Sequence, residues 1–141
     1  MMLKKLFLSF ILLLMAFSSI AMERSDAHHE AEVFIASPKN NETVSNPIKV
    51  VFGIKNMIVS PAGVKEKFSG HHHLLVDVDN LPDVALPIPS DENHIHFGKA
   101  QTESVLNLTP GQHTLQLLLG DHYHVPHNPA VVSEIINIIV K

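Results

Sequence analysis

From Glu32 onward the chain is a succession of short apolar runs cut by turn formers, and no segment carries a helical stripe. That leaves strands as the building unit. "EVFIAS" (Glu32 to Ser37) reads as the first strand, and "PKNNETVSNP" as turn-rich chain. In "IKVVFGI" the alternation puts Ile48, Val50, Phe52 and Ile54 on one face. "SPAG" (Ser60 to Gly63) is a turn. "HHLLVDV" is the next strand, with His72, Leu74, Val76 and Val78 on one side and His71, His73, Leu75 and Asp77 on the other. The prolines of "DNLPDVALPIPSDEN" lack the ladder donor, so Leu81 to Asn93 is a surface loop or edge segment. "ESVLNL" and "HTLQLLLG" flank Thr109-Pro110-Gly111-Gln112, a type II turn signature that predicts a hairpin. "AVVSEIINIIVK" closes the chain as a strand. Six or seven strands with frequent turns predict an all-β, two-layer antiparallel β-sandwich.

The first residues need separate treatment. Lys4 and Lys5 precede an unbroken apolar run from Leu6 to Phe17, and Ser19-Ile20-Ala21 fits the small-x-Ala cleavage pattern. Residues 1–21 are therefore expected to be a secretory signal peptide cut after Ala21, with the product in the periplasm or secreted. The run is short for a membrane span, and no later run is long enough to make one. Residues 22–30 read as a flexible polar lead-in carrying His28 and His29. Residues 31–141 then form a single domain.

Cysteine is absent, which excludes disulfides, thiolate chemistry and cysteine-based zinc sites. Without Lys4 and Lys5 the balance is 8 basic against 14 acidic side chains, a net charge of −6 with histidine neutral, which argues against nucleic acid as a partner. All eleven histidines follow the leader, and protonating them all would turn −6 into +5.

Their spacing points to chemistry. Residues two apart on a strand project from one face about 7 Å apart, so His-x-His pairs can converge on one ion. His71 with His73, His94 with His96, and His122 with His124 all have this spacing. Neutral imidazole suits copper, zinc and nickel, and the scarcity of methionine after the leader argues against a thioether Cu(I) site. His113 and His127 complete the candidate set of metal ligands. His72 and His113, which lead apolar faces, also fit hydrogen-bonded core positions. Asp77, Asp91, Glu92 and Asp121 lie near the clusters and suit either further ligation or imidazole orientation.

"GHHHLLVD", "HIHFGKAQTE", "LTPGQHTLQLLLGDHYHVPHNP" and "VVSEIINIIV" resemble a family of small exported bacterial proteins known only as a domain of unknown function. The likeness runs from about Val33 to Lys141 and implies one fold and export, with no activity attached. The family pattern has glycine where this chain has Ala100. The opening "SPKNNETVSNP" also resembles bacterial immunoglobulin-like modules, so the sandwich is expected to be immunoglobulin-like.

Three functions follow as expectations. The first is binding of a divalent transition metal, copper or zinc, as a buffer, carrier or sensor. His71, His73, His94 and His96 would lead that site, and His124 and His127 would complete it. The second is a non-catalytic cell-envelope module with an envelope protein partner, its histidines hydrogen-bonding the proline-rich loop. The third is a small cupin-like metalloenzyme using His94, His96, Glu103 and His113, although Glu103 is poorly spaced for that pattern.

Overall fold

The computed structural model describes residues 22–141, and the leader expected over residues 1–21 lies outside them. Among the described residues the chain forms nine strands and no helix. Among the described residues no helix is long and apolar enough to cross a membrane. The strands are β1 Glu32–Ser37, β2 Glu42–Val44, β3 Ile48–Lys55, β4 Ile58–Val59, β5 Ser69–Val76, β6 His94–His96, β7 Glu103–Leu106, β8 Gly111–Gly120 and β9 Ile136–Val140.

A three-stranded sheet of order β1-β3-β7 faces a six-stranded sheet of order β2-β9-β8-β5-β4, with β6 also paired to β5. The core lies between them. Val33, Ile35, Ile48, Val50 and Phe52 from the small sheet meet Leu74, Val76, Leu115, Leu117, Leu119 and Ile138 from the large one. Each such side chain contributes roughly 1.5–3 kcal/mol on full burial, so this interior carries the fold. The all-β sandwich read from the alternation is what forms.

β5 is the central element. Its pairing with β8 aligns His72 with Leu119, Leu74 with Leu117 and Val76 with Leu115, all facing the core. Its other face is covered as well, because Leu75 and Leu118 pack under Ile88 of the proline-rich loop. All eight residues of β5 are buried. The free edge of β5 is shared, with β4 pairing at Ser69 and Gly70 and β6 at His73 to Leu75.

Several expectations are corrected. β7 and β8 do not form a hairpin: β7 pairs with β3, whereas β8 pairs with β5 and β9. The chain crosses between sheets there, and the Asn46 side chain fixes the crossing by bonding both the carbonyl (2.7 Å) and the amide (3.0 Å) of Leu108. The sandwich is not wholly antiparallel, since β2 runs parallel to β9 and β4 parallel to β5. These are two short edge strands with too little alternation to show in sequence. The lead-in, expected to be flexible, is bonded to the domain. The Ala27 amide donates to the Asn128 carbonyl at 3.1 Å, and the Asn128 amide donates to the Ser25 carbonyl at 2.9 Å. Ala100 has φ +59°, a left-handed conformation that costs a side-chain-bearing residue and that glycine adopts freely.

Candidate metal centre

Strand parity places His71 and His73 on the outer face of β5, opposite Gly120 and Leu118 of β8. The β5–β6 register then sets His96 beside His73. Their ring centroids are 5.1 Å apart, and His71 stands 4.8 Å from His73 and 5.0 Å from His96. The fourth ring comes from the turn after β8. His124 lies 4.7 Å from His96 and 4.9 Å from His71, centroid to centroid. One ring nitrogen of each of these four residues lies within 4.8 Å of those of the others.

Two glycines make room for this packing. A Cβ on Gly120 would stand 2.7 Å from His73 Cε1 and 3.3 Å from His124 Cα, and one on Gly98 would stand 2.4 Å from His96 Cε1. His71 and His73 are buried, while His96 and His124 close the outer side and are partly exposed. His124 occupies the left-handed region at φ +65°. Its amide donates to the Asp121 carbonyl and its carbonyl accepts from the Ile88 amide, both at 2.8 Å.

The electrostatics keep His71, His73 and His96 neutral. Burial, reinforced by His124 and His96, lowers the pKa of His71 to about 4. Burial and the neighbours His71, His96 and His124 lower His73 to about 2. His96 is lowered by burial and by His124. Neutral imidazole is the metal-binding form. His71 Nδ1, His73 Nδ1 and His96 Nε2 are buried without a hydrogen-bond partner in the protein. An unsatisfied buried polar group costs about 1–3 kcal/mol. A structural network would pair each imidazole with a carbonyl or carboxylate, and this cluster does not.

The other four predicted ligands lie outside the cluster. His94 shares a face with His96, but its Nδ1 donates to Asp91 Oδ1 at 2.8 Å. His113 Nδ1 donates to Asp77 Oδ2 and its Nε2 to the Thr109 carbonyl, both at 2.7 Å. His127 is buried, with Nε2 donating to the Ser69 carbonyl at 2.9 Å. His122 stacks on Tyr123 at 4.1 Å and stands 4.0 Å from Asp121. His122 and His124 lie on a turn, where residues two apart do not share a direction, so that pair does not act together. His127 was expected to complete the site with His124, and the structure supplies His124 alone. His72 is a core residue as expected, but it is not hydrogen-bonded. Its ring lies against Phe52 at 5.1 Å and neither nitrogen has a partner. Glu103, the carboxylate of the cupin reading, pairs with Lys49 at 3.1 Å on the exposed surface of the small sheet.

Sequence reasoning missed Asp121 as the organiser of the His124 turn. Its buried carboxylate accepts the amides of Tyr123 at 2.9 Å and Val125 at 3.1 Å. An aspartate opening a histidine-bearing loop was the available signal. No curated protein and no solved structure matches the chain. One family model, described as Domain of unknown function (DUF4399), matches residues 50–141, a span that includes all four clustered histidines.

Proposed function

The chain belongs to this family of unknown function, and we propose from the chemistry of the site that it binds one divalent transition metal ion, copper or zinc, through His71, His73, His96 and His124. The observation that carries the reading is the convergence of four imidazoles, each offering a ring nitrogen within 4.8 Å of the others. Hydrogen bonds inside the protein leave three buried nitrogens of that group unsatisfied. An all-nitrogen donor set suits copper(II) and zinc. Four protein ligands fill a tetrahedral site, so the reading is of a buffer, carrier or sensor rather than a catalyst, which would keep a coordination position open. The apolar leader, with its Ser19-Ile20-Ala21 pattern, supports a periplasmic or secreted setting for this role.

A second reading, a structural module of the cell envelope, is favoured by the remaining histidines. His94, His113 and His127 are each held by a carboxylate or a carbonyl. The two readings divide the histidines between them, and they are compatible.

The test is metal content. Untagged protein is incubated with copper(II) or zinc, desalted and measured by inductively coupled plasma mass spectrometry. Wild type and the His94→Ala/His122→Ala control are expected to retain about one equivalent, and His96→Ala/His124→Ala none. A wild-type protein that retains no ion overturns the reading.

A further inference from the structure

Three of the four rings stand on paired strands, while the fourth stands on a turn that other segments hold. Resting on the metal-site reading, we infer that residues Arg24 to Ala27 are a strap that keeps His124 in its ligating position and so sets how fast the ion leaves.

The turn closes two backbone bonds of its own, between Asp121 and His124 and between Asp121 and Val125, and the Ile88 amide bonds the His124 carbonyl, but these leave its conformation strained. His124 is in the left-handed region, which disfavours a residue with a Cβ. Asp121 holds it there. One oxygen of that carboxylate takes the amides of Tyr123 and Val125, the residues on either side of His124. The other oxygen accepts from the Ser25 hydroxyl at 2.8 Å and the Ser25 amide at 3.4 Å. Asp121 is 1% exposed, so water does not readily replace Ser25. The strap continues on both sides of this contact. The Arg24 guanidinium donates to the carbonyls of Pro126 and His127, closing on the chain just after His124. Ser25 and Ala27 exchange backbone bonds with Asn128.

These contacts rank the ligands by how easily each can leave. His71, His73 and His96 are fixed by the β5–β6 and β5–β8 ladders, which open only with the sheet. His124 can depart when the turn relaxes, and the turn relaxes when Asp121 loses Ser25. An ion held by four groups is released by successive loss of ligands, starting with the least constrained. The strap therefore governs the first step. Its hydrogen bonds end on the Asp121 carboxylate and on backbone groups, so it acts by positioning.

The experiment follows ion release from full-length mature protein loaded with copper(II) or zinc, mixed with excess chelator. Ser25→Ala and Arg24→Ala are each expected to release the ion about tenfold faster, the lower end of the usual effect of orienting partners. Ser25→Thr keeps a hydroxyl and should release at close to the wild-type rate. Asn46→Ala removes a comparable side-chain clamp at Leu108, away from the cluster, and serves as a control for lost stability. It should lower the melting temperature without speeding release. The inference is overturned if Ser25→Ala and Arg24→Ala release no faster than Asn46→Ala. Should one strap variant fail to fold, the other gives the same comparison. A wild type that loads no ion instead overturns the metal reading itself, a result visible before any chelator is added.

Discussion

His71 Nε2 and His124 Nδ1 face each other at 2.9 Å across 53 residues of chain. Two arrangements give that distance. Either one ring donates a proton to the other, or both lone pairs point at a common ion, whose ligands at 2.0–2.1 Å stand about 3 Å apart. The nearby unpartnered nitrogens of His73 and His96 favour the ion, since a single proton shared between His71 and His124 leaves them unsatisfied.

An ion that binds only the folded state raises its stability. At about 100 times the dissociation constant the gain is about 2.7 kcal/mol, and for a domain of this size the melting temperature rises by roughly 10 °C. Differential scanning calorimetry with and without copper(II) or zinc should show this shift in wild type and in His94→Ala. His124→Ala should lose it. Equal shifts in all three would place the ion elsewhere.

Gly120→Ala should damage the site from below. The added Cβ would stand 2.7 Å from His73 Cε1, 3.1 Å from His73 Nδ1 and 3.3 Å from His124 Cα. Neither neighbour is a flexible chain end, so overpacking of about 1–3 kcal/mol is expected. Chemical denaturation should report the loss of stability, and metal analysis a parallel loss of loading.

His113 should make stability fall on the alkaline side. Burial works to lower its pKa, but the Asp77 hydrogen bond, the Thr109 carbonyl and the Asp77 charge together raise it. A raised folded-state pKa gives a contribution fully present below the unfolded value of 6.5. That contribution is lost as pH rises through the folded value. The urea midpoint of wild type should drop as pH rises above 6.5, and His113→Gln should flatten that drop. An unchanged slope in the variant would assign the effect to another group.

His72 should act in the opposite direction. Burial lowers its pKa to about 4, so the unfolded chain takes up its proton first. Stability is then lost as pH falls from 6.5 towards 4, by an amount on the order of 3 kcal/mol. His72→Leu removes both unsatisfied nitrogens from the core and should widen the acid stability range. It should leave metal loading unchanged, because His72 faces the core while the cluster lies on the other side of β5. A lower melting temperature in this variant at neutral pH would show that the ring's fit against Phe52 outweighs its desolvation.

Local periodicity alone determined much of this molecule. Alternation in "IKVVFGI" set a strand face that the structure keeps, and in "HHLLVDV" it did so as far as Val76, where β5 ends; Asp77 turns at φ +55° and Val78, expected beside Leu74 and Val76, packs instead with Leu75 and Ile88. The same alternation placed His71 and His73 together because strand parity needs no partner. The frequent turn formers were enough to make the chain all-β. What depends on pairing was not legible. The Thr109-Pro110-Gly111 signal describes a turn, but whether β7 and β8 then pair is decided by which sheet buries Leu115, Leu117 and Leu119. The same limit applied to the site. His94-x-His96 and His122-x-His124 look alike in sequence. Yet Asp91 engages His94, and the second pair lies on a turn rather than a strand, so only one ring of each joins the cluster. Strand pairing brought His96 to His73, and Asp121 with Ser25 brought His124 to His71. Those contacts join residues far apart in the chain, and side-chain spacing carries no information about them until the core has chosen which strands lie side by side.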